Sequence, residues 1–258
     1  MKKAIINILL VFFLGVLLYS GYRLYGIFSE YYKGRSEYKK TSSQYVTKKE
    51  ESTEQEEKDG KKKKKVESAP IEVDFASLMK ENEDVAGWIY CPDTVVDYPV
   101  MHGKDNDLYL HHMVNKEYNF AGCIFEDYRN TPGQKDPATI LYGHHMKDGS
   151  MFHDLHRFGD AAFFDENQFL YIYTPEGNLA YEIFASYPFS NVDLMMCFDY
   201  STPDAALIYF EGIWTNRSMT SHFRDNVALY GDSNIITMST CIGGEPDMRY
   251  LVQAVLIE

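Results

Sequence analysis

Cys241 closes the run "NIITMSTC", and eight positions later Arg249 opens "RYLVQAVLI". A thiol attacks a carbonyl only as thiolate, a form that neighbouring cations favour. A guanidinium is a permanent cation whose planar fork can hold a carbonyl oxygen or a developing oxyanion. Apolar, β-branched residues flank both groups, so strands are expected over 234–241 and 250–257, with "IGGEPD" as the loop between them. If those strands are antiparallel neighbours, Arg249 returns close beside Cys241. A third group comes from "TILYGHHMKDGSMF", where a strand-like run over 138–143 ends at Gly143 and His144 and His145 follow. Histidine works as acid and base near neutral pH. Side chains alternate along a strand, so the two rings cannot face one way while strand geometry lasts. Cysteine, histidine and arginine together are the parts of an acyl-transfer site with a cysteine nucleophile.

Charge narrows the alternatives. The chain has 258 residues and a net charge of −13. Residues 1–70 hold 15 Lys/Arg against 9 Asp/Glu (+6), which leaves 10 against 29 (−19) for residues 71–258. So acidic a half repels phosphate backbones, which excludes nucleic acid as a partner. Arg249 is one of those 10 basic groups. The cysteines Cys91, Cys123, Cys197 and Cys241 have no CxxC spacing, which removes a metal or redox motif of that type. Cys91 and Cys123 lie in strand-like runs and read as small buried hydrophobes.

The elements that must position these groups follow. After Met1-Lys2-Lys3, an uncharged run extends from Ala4 to Tyr22. Its span as a helix is about 28 Å, close to the roughly 30 Å of a bilayer core. It lacks the Ala-x-Ala-like site of a cleaved signal peptide. Lys2 and Lys3 precede it while Arg23, Lys33 and Arg35 follow, so charge gives no orientation. Residues 29–70 are polar, include the Lys61–Lys65 run, and read as a disordered tether. From Ile71 onward the composition is globular. Phe75, Leu78 and Met79 mark a short helix. Strands are expected at 88–91, 95–101, 122–126, 138–143, 168–173 and 178–189 as well as the two at the end. Pro175-Glu176-Gly177-Asn178 reads as a hairpin turn. Ser150 is expected to cap a helix through Met151, Leu155 and Phe158, and a further helix or helix pair fits 203–229. Eight short strands with interspersed helices predict a mostly β, closed or nearly closed barrel.

Several stretches taken together carry a family resemblance. "TMSTC" with an arginine eight residues later, "YGHHMKDGSMFHDL" upstream, "GCIFEDYRN" and "DVAGWIYCPDTVVDYPVMHGKDNDLYL" resemble the class B sortases. The likeness covers roughly 74–258, and the N-terminal apolar run plus tether matches the family's layout. The resemblance implies a closed eight-stranded sortase-type β-barrel, with an N-terminal helix and a helix in the connection before the last two strands. It implies a membrane-anchored cysteine transpeptidase of the outer face of a Gram-positive cell, single-pass and without cofactor or metal. Residues 1–3 would be a cytoplasmic tail, 4–28 the anchor, 29–70 the tether and 71–258 the catalytic domain. By position, Cys241 would be the nucleophile, His144 the general acid/base and Arg249 the stabiliser of oxyanion and substrate. His145 would be its non-catalytic neighbour. Ser239, Thr240, Tyr142 and Glu245 would line the substrate site. The implied partners are surface proteins with a C-terminal sorting signal of Asn-Pro-x-Thr or Pro-x-Thr type. The resolving amine would come from a peptidoglycan precursor or a pilin. Met238 stands where leucine is commoner in the motif, and the loop "IGGEPDM" is this chain's own, which leaves the sorting motif open.

Two other readings stand beside this one. A metal-dependent hydrolase would draw on His144, His145, Asp148, His153, Asp154 and His156, although these lack the H-E-x-x-H spacing. A non-catalytic surface-binding module would use the acidic domain as a display on its tether.

Overall fold

A computed structural model describes residues 2–49, 70–134 and 136–257. Its strands are β1 (Val46–Lys48), β2 (Ile71–Val73), β3 (Val85–Tyr90), β4 (Asp97–His102), β5 (Ile124–Glu126), β6 (Ala138–Tyr142), β7 (Phe169–Thr174), β8 (Gly177–Ser190), β9 (His222–Phe223), β10 (Ile235–Ile242) and β11 (Glu245–Leu256). The helices are α1 (Lys2–Tyr45), α2 (Phe75–Glu81), α3 (Ala161–Glu166), α4 (Leu194–Cys197) and α5 (Pro203–Ile213), with a 3-10 helix at His153–Gly159. Eight strands close into a ring in the order β11-β10-β6-β5-β4-β3-β7-β8, with β8 pairing back onto β11. The β10–β6 and β4–β5 pairs are parallel and the other barrel pairs antiparallel. This is the closed barrel expected from the strand pattern, and closure leaves no unpaired edge along those strands.

Alternation along the last two strands sorts their side chains between two cores. Ile236 and Met238 of β10, with Tyr250, Val252 and Ala254 of β11, belong to the larger one. Ile235, Leu251 and Val255 join the smaller one, packed with Ala206, Phe210 and Ile213 of α5. Thr202 caps α5 by accepting from the Ala205 N–H, and Pro203 occupies its first turn.

Three expectations are corrected. The first concerns the tether: α1 runs on to Tyr45, and Val46–Lys48 then pairs with Ile71–Val73. Gly34, Tyr38, Thr41 and Tyr45 are its buried residues, spaced by three and four. That is one helical stripe, concealed from the composition by the charged groups between its members. Residues 50–69, including Lys61–Lys65, lie outside the described residues. The second concerns "IGGEPD", which is no open loop. Ile242 pairs with Glu245, so Gly243 and Gly244 turn a tight hairpin, and Pro246–Met248 bulge before Arg249. The third concerns Ser150, which caps no helix: its hydroxyl donates to Asp148 at 2.6 Å, and the 3-10 helix starts after Phe152 without a side-chain cap. Of the helix or helix pair expected over 203–229, one helix forms, α5. The polar stretch after Ile213 becomes a loop, broken by the short β9 on β8. The helices α3 and α4 had no periodic signal, being single turns capped by Asp160 and Asp193.

Candidate functional site

The site forms where β10, β11 and β6 end together. Cys241 is exposed and its thiol free, and its direct partner across the antiparallel pair is Arg249. Paired residues put their side chains on the same face of a sheet. By alternation that face is the one carrying Ile235, Leu251 and Val255. A bulge follows between Cys241 and Ile242, which frees the strand end from regular pairing. Nη1 of Arg249 donates to the carbonyls of Pro246 at 3.0 Å and Met248 at 2.9 Å. Among the described residues Arg249 has no ion pair. Glu245 and Asp247 therefore do not neutralise it, and the bulge backbone aims a fork that keeps its charge.

The histidines are placed by β6. Its parallel register matches Tyr142 to Ser239, and Gly143 N–H adds one further bond, to the Ser239 carbonyl at 3.3 Å. The Thr240 hydroxyl then donates to the Gly143 carbonyl at 2.8 Å. Regular pairing ends at Tyr142, and His144 and His145 follow in the loop that Phe152 N–H closes on the His144 carbonyl at 3.0 Å. Gly143 is required by close approach. A Cβ there would lie 2.4 Å from Ile124 Cδ1 and 2.6 Å from Phe152 Cδ2. His144 Nε2 donates to the Leu110 carbonyl at 2.9 Å, and its ring stacks on His111 at 5.8 Å. Burial pushes its imidazole below the ordinary histidine value, and His111 adds to this, against the opposing pull of the Leu110 carbonyl. A ring that stays neutral is able to take a proton and return it.

Beside it stands a row of rings made of His145, His153 and His156, which the metal-hydrolase reading groups, with Tyr250 added. His145 lies 4.8 Å from His153 and stacks on His156 at 4.1 Å, which in turn stacks on Tyr250 at 4.8 Å. Nε2 of His156 is 3.0 Å from the Cys241 carbonyl. Burial lowers the pKa of both His145 and His156, with His153 contributing in each case. Single-residue types gave no sign of Tyr250 in this row, because His156 and Tyr250 are far apart in the chain and meet only through the barrel.

The other expected substrate residues differ in availability. Thr240 is buried and pinned to Gly143; Ser239 is buried just beneath the thiol. Tyr142 is half-buried and spends its hydroxyl on Asp127 at 3.0 Å, whose carboxylate is also gripped by Arg129 at 2.7 Å. Arg129 continues to Asp193, the cap of α4, at 2.8 Å. Glu245 is exposed at the start of β11. Cys91 and Cys123 are fully buried, and burial pushes both thiols up to about 12, so neither is a nucleophile near neutral pH. Of the groups a metal hydrolase would gather, both carboxylates and His153 are bonded elsewhere. Asp148 pairs with Arg35, Asp154 accepts from Val95 N–H, and His153 bonds the Met146 carbonyl. Among the described residues no three histidine, cysteine or carboxylate groups converge as a metal site.

Comparison with known proteins agrees with this geometry. The Sortase domain family model matches residues 89–257. Sortase B of Listeria monocytogenes is 39% identical over 168 residues, covering 65% of this chain and 67% of that protein. Sortase B of Staphylococcus aureus is 30% identical over 190 residues, covering 73% and 76%. The crystal structure of sortase B from B. anthracis in complex with AAEK1 superposes with a TM-score of 0.72 at 29% identity, covering 90% of this chain and 99% of that one.

Proposed function

This chain belongs to the sortase family as a class B cysteine transpeptidase, and we propose that Cys241, His144 and Arg249 carry its reaction. His144 takes the proton of the Cys241 thiol, and the thiolate attacks the carbonyl carbon after the threonine of a C-terminal sorting signal. The carbonyl oxygen takes up the electron pair as an oxyanion, which the Arg249 fork holds. Collapse of that intermediate breaks the C–N bond, and His144 delivers a proton to the departing amine. A thioester on Cys241 remains. An incoming amine then attacks it, gives up its proton to His144, and expels the thiolate. The observation that carries this reading is the direct pairing of Cys241 with Arg249 across the β10–β11 hairpin.

The substrates are surface proteins with an Asn-Pro-x-Thr or Pro-x-Thr type signal, and the acceptor is an amine of a peptidoglycan precursor or a pilin. Ser239, Thr240, Tyr142 and Glu245 shape the substrate groove. Residues 4–28 anchor the enzyme in the cell membrane in a single pass, supported by an N-terminal helix long and apolar enough to cross one. Residues 1–3 stay in the cytoplasm and the catalytic domain stands outside, its single chain needing no cofactor. The test is a library of sorting-signal peptides, with intact-mass detection of an acyl adduct on Cys241. The expected result is one adduct lost in Cys241→Ala. Full turnover by that variant overturns the reading.

A further inference from the structure

The acid/base group of a transpeptidase must keep its ring within a fraction of an ångström of its working place. His144 sits after the end of a strand, so something besides the barrel has to hold it. We propose that residues 30–38 of α1, just beyond the anchor, are a positioning element for His144, gripping both loops that fix its ring. The proposal rests on His144 as the acid/base of the proposed reaction.

One arm reaches the loop that follows His144. Arg35 Nε donates to Asp148 Oδ2 at 2.8 Å, and a second N–H of the same guanidinium donates to the Asp148 carbonyl. The other carboxylate oxygen of Asp148 accepts from the Ser150 N–H at 3.1 Å. Two residues on, Phe152 N–H donates to the His144 carbonyl at 3.0 Å, which closes the loop on itself. Between them Met151 N–H donates to the Tyr98 hydroxyl at 3.1 Å, and the Tyr98 ring packs edge-on against Tyr38 of α1 at 5.3 Å. Thus α1 holds the loop at Asp148 and, through Tyr98, at Met151.

The second arm reaches the segment that caps the imidazole itself. Asn119 Nδ2 donates to the Glu30 carbonyl of α1 at 3.0 Å, while Asn119 N–H donates to the His111 carbonyl at 2.9 Å. Tyr31 packs edge-on against Phe120 at 4.8 Å. The Tyr38 hydroxyl donates to the Gly122 carbonyl. Gly122 has φ +54°, and a Cβ there would fall 2.4 Å from the Leu110 carbonyl oxygen. Backbone held by α1 thus abuts the very carbonyl that bonds His144 Nε2, next to the ring that stacks on it. Both arms end on one imidazole, one from its backbone side and one from its ring.

The Arg35–Asp148 pair is partly exposed, and such pairs add little to global stability. Its loss should therefore appear in the chemistry before it appears in melting. The test uses the full chain in detergent micelles and follows cleavage of a sorting-signal peptide for Arg35→Ala, Arg35→Lys and Asn119→Ala. The control is Lys40→Ala, whose partner Glu37 lies one turn away on the same helix. For Arg35→Ala and Asn119→Ala, kcat falls roughly tenfold or more while KM for the peptide stays within about twofold. The acid limb of the kcat/KM profile moves up towards the ordinary histidine value as the loosened ring gains water. Arg35→Lys recovers part of the loss, and Lys40→Ala behaves as the parent. An unchanged kcat and acid limb in Arg35→Ala and Asn119→Ala overturns the proposal, as does an equal loss in Lys40→Ala. A parent enzyme that forms no adduct on Cys241 instead removes the reaction on which the proposal rests.

Discussion

His144 and His145 are consecutive, yet they enter different chemistry. His144 follows the end of β6 by two residues, with the Leu110 carbonyl as the partner of its ring and His111 stacked on it. His145 falls in a row with Tyr250, among imidazoles that disfavour each other's protonation. One position in the chain therefore separates a candidate proton carrier from a ring in the row under the nucleophile's backbone. Identity of residue type says nothing about that division; the partners each ring meets in the fold decide it.

The contrast can be broken in order of effect. Cys241→Ala should lower peptide cleavage by on the order of 10⁴-fold or more and abolish the acyl adduct by mass spectrometry. His144→Ala should cost about 10²–10⁴-fold in kcat/KM, as expected for a lost acid/base group, whereas His145→Ala costs less than about tenfold. The reverse order would place proton transfer on the other ring. Arg249→Ala should cost about 10²–10³-fold, and Arg249→Lys should recover little, since a point charge does not reproduce a fork held by the Pro246 and Met248 carbonyls. Removing the pin between the two strand ends is a smaller change. Thr240→Val deletes the bond to the Gly143 carbonyl and should destabilise by about 1 kcal/mol in chemical denaturation.

The subtlest consequence is in the pH dependence of stability. His144, His145 and His156 are all held below the ordinary histidine value, chiefly by burial. Below about pH 6.5 the unfolded chain therefore binds protons that the folded chain does not. Their contribution is fully present above that pH and is lost as the pH falls towards the folded values. His156→Asn should flatten the fall in melting temperature on acidification. A slope equal to the parent's would mean the stacked row does not titrate with folding.

Much of this architecture is legible along the chain, and the exceptions share a cause. The eight barrel strands announce themselves by runs such as "FLYIYT" and "NIITMST", where β-branched and aromatic residues crowd between turn formers. Cys241 and Arg249 are legible as a pair because a hairpin is the simplest way to join two such strands, and the barrel does pair them. The shape of that hairpin was not legible, because the bulge at Pro246–Met248 depends on β11 also pairing with β8. The helical stripe of Tyr38 and Tyr45 was masked by the charged and polar residues between its members. Short capped turns such as α4 fall below the length at which periodicity speaks.

The order of residue types by itself determined the barrel's strands, the apolar N-terminal helix and the presence of a thiol, two imidazoles and a guanidinium at strand ends. Those are matters of local spacing, which alternation and turn chemistry encode within a few residues. Tertiary structure alone decided which partners each imidazole meets, what lies beneath the thiol, and how the N-terminal helix meets the loops around His144. Each of those depends on contacts between segments tens of residues apart, such as Arg35 with Asp148 and His156 with Cys241, whose geometry exists only once the barrel has closed.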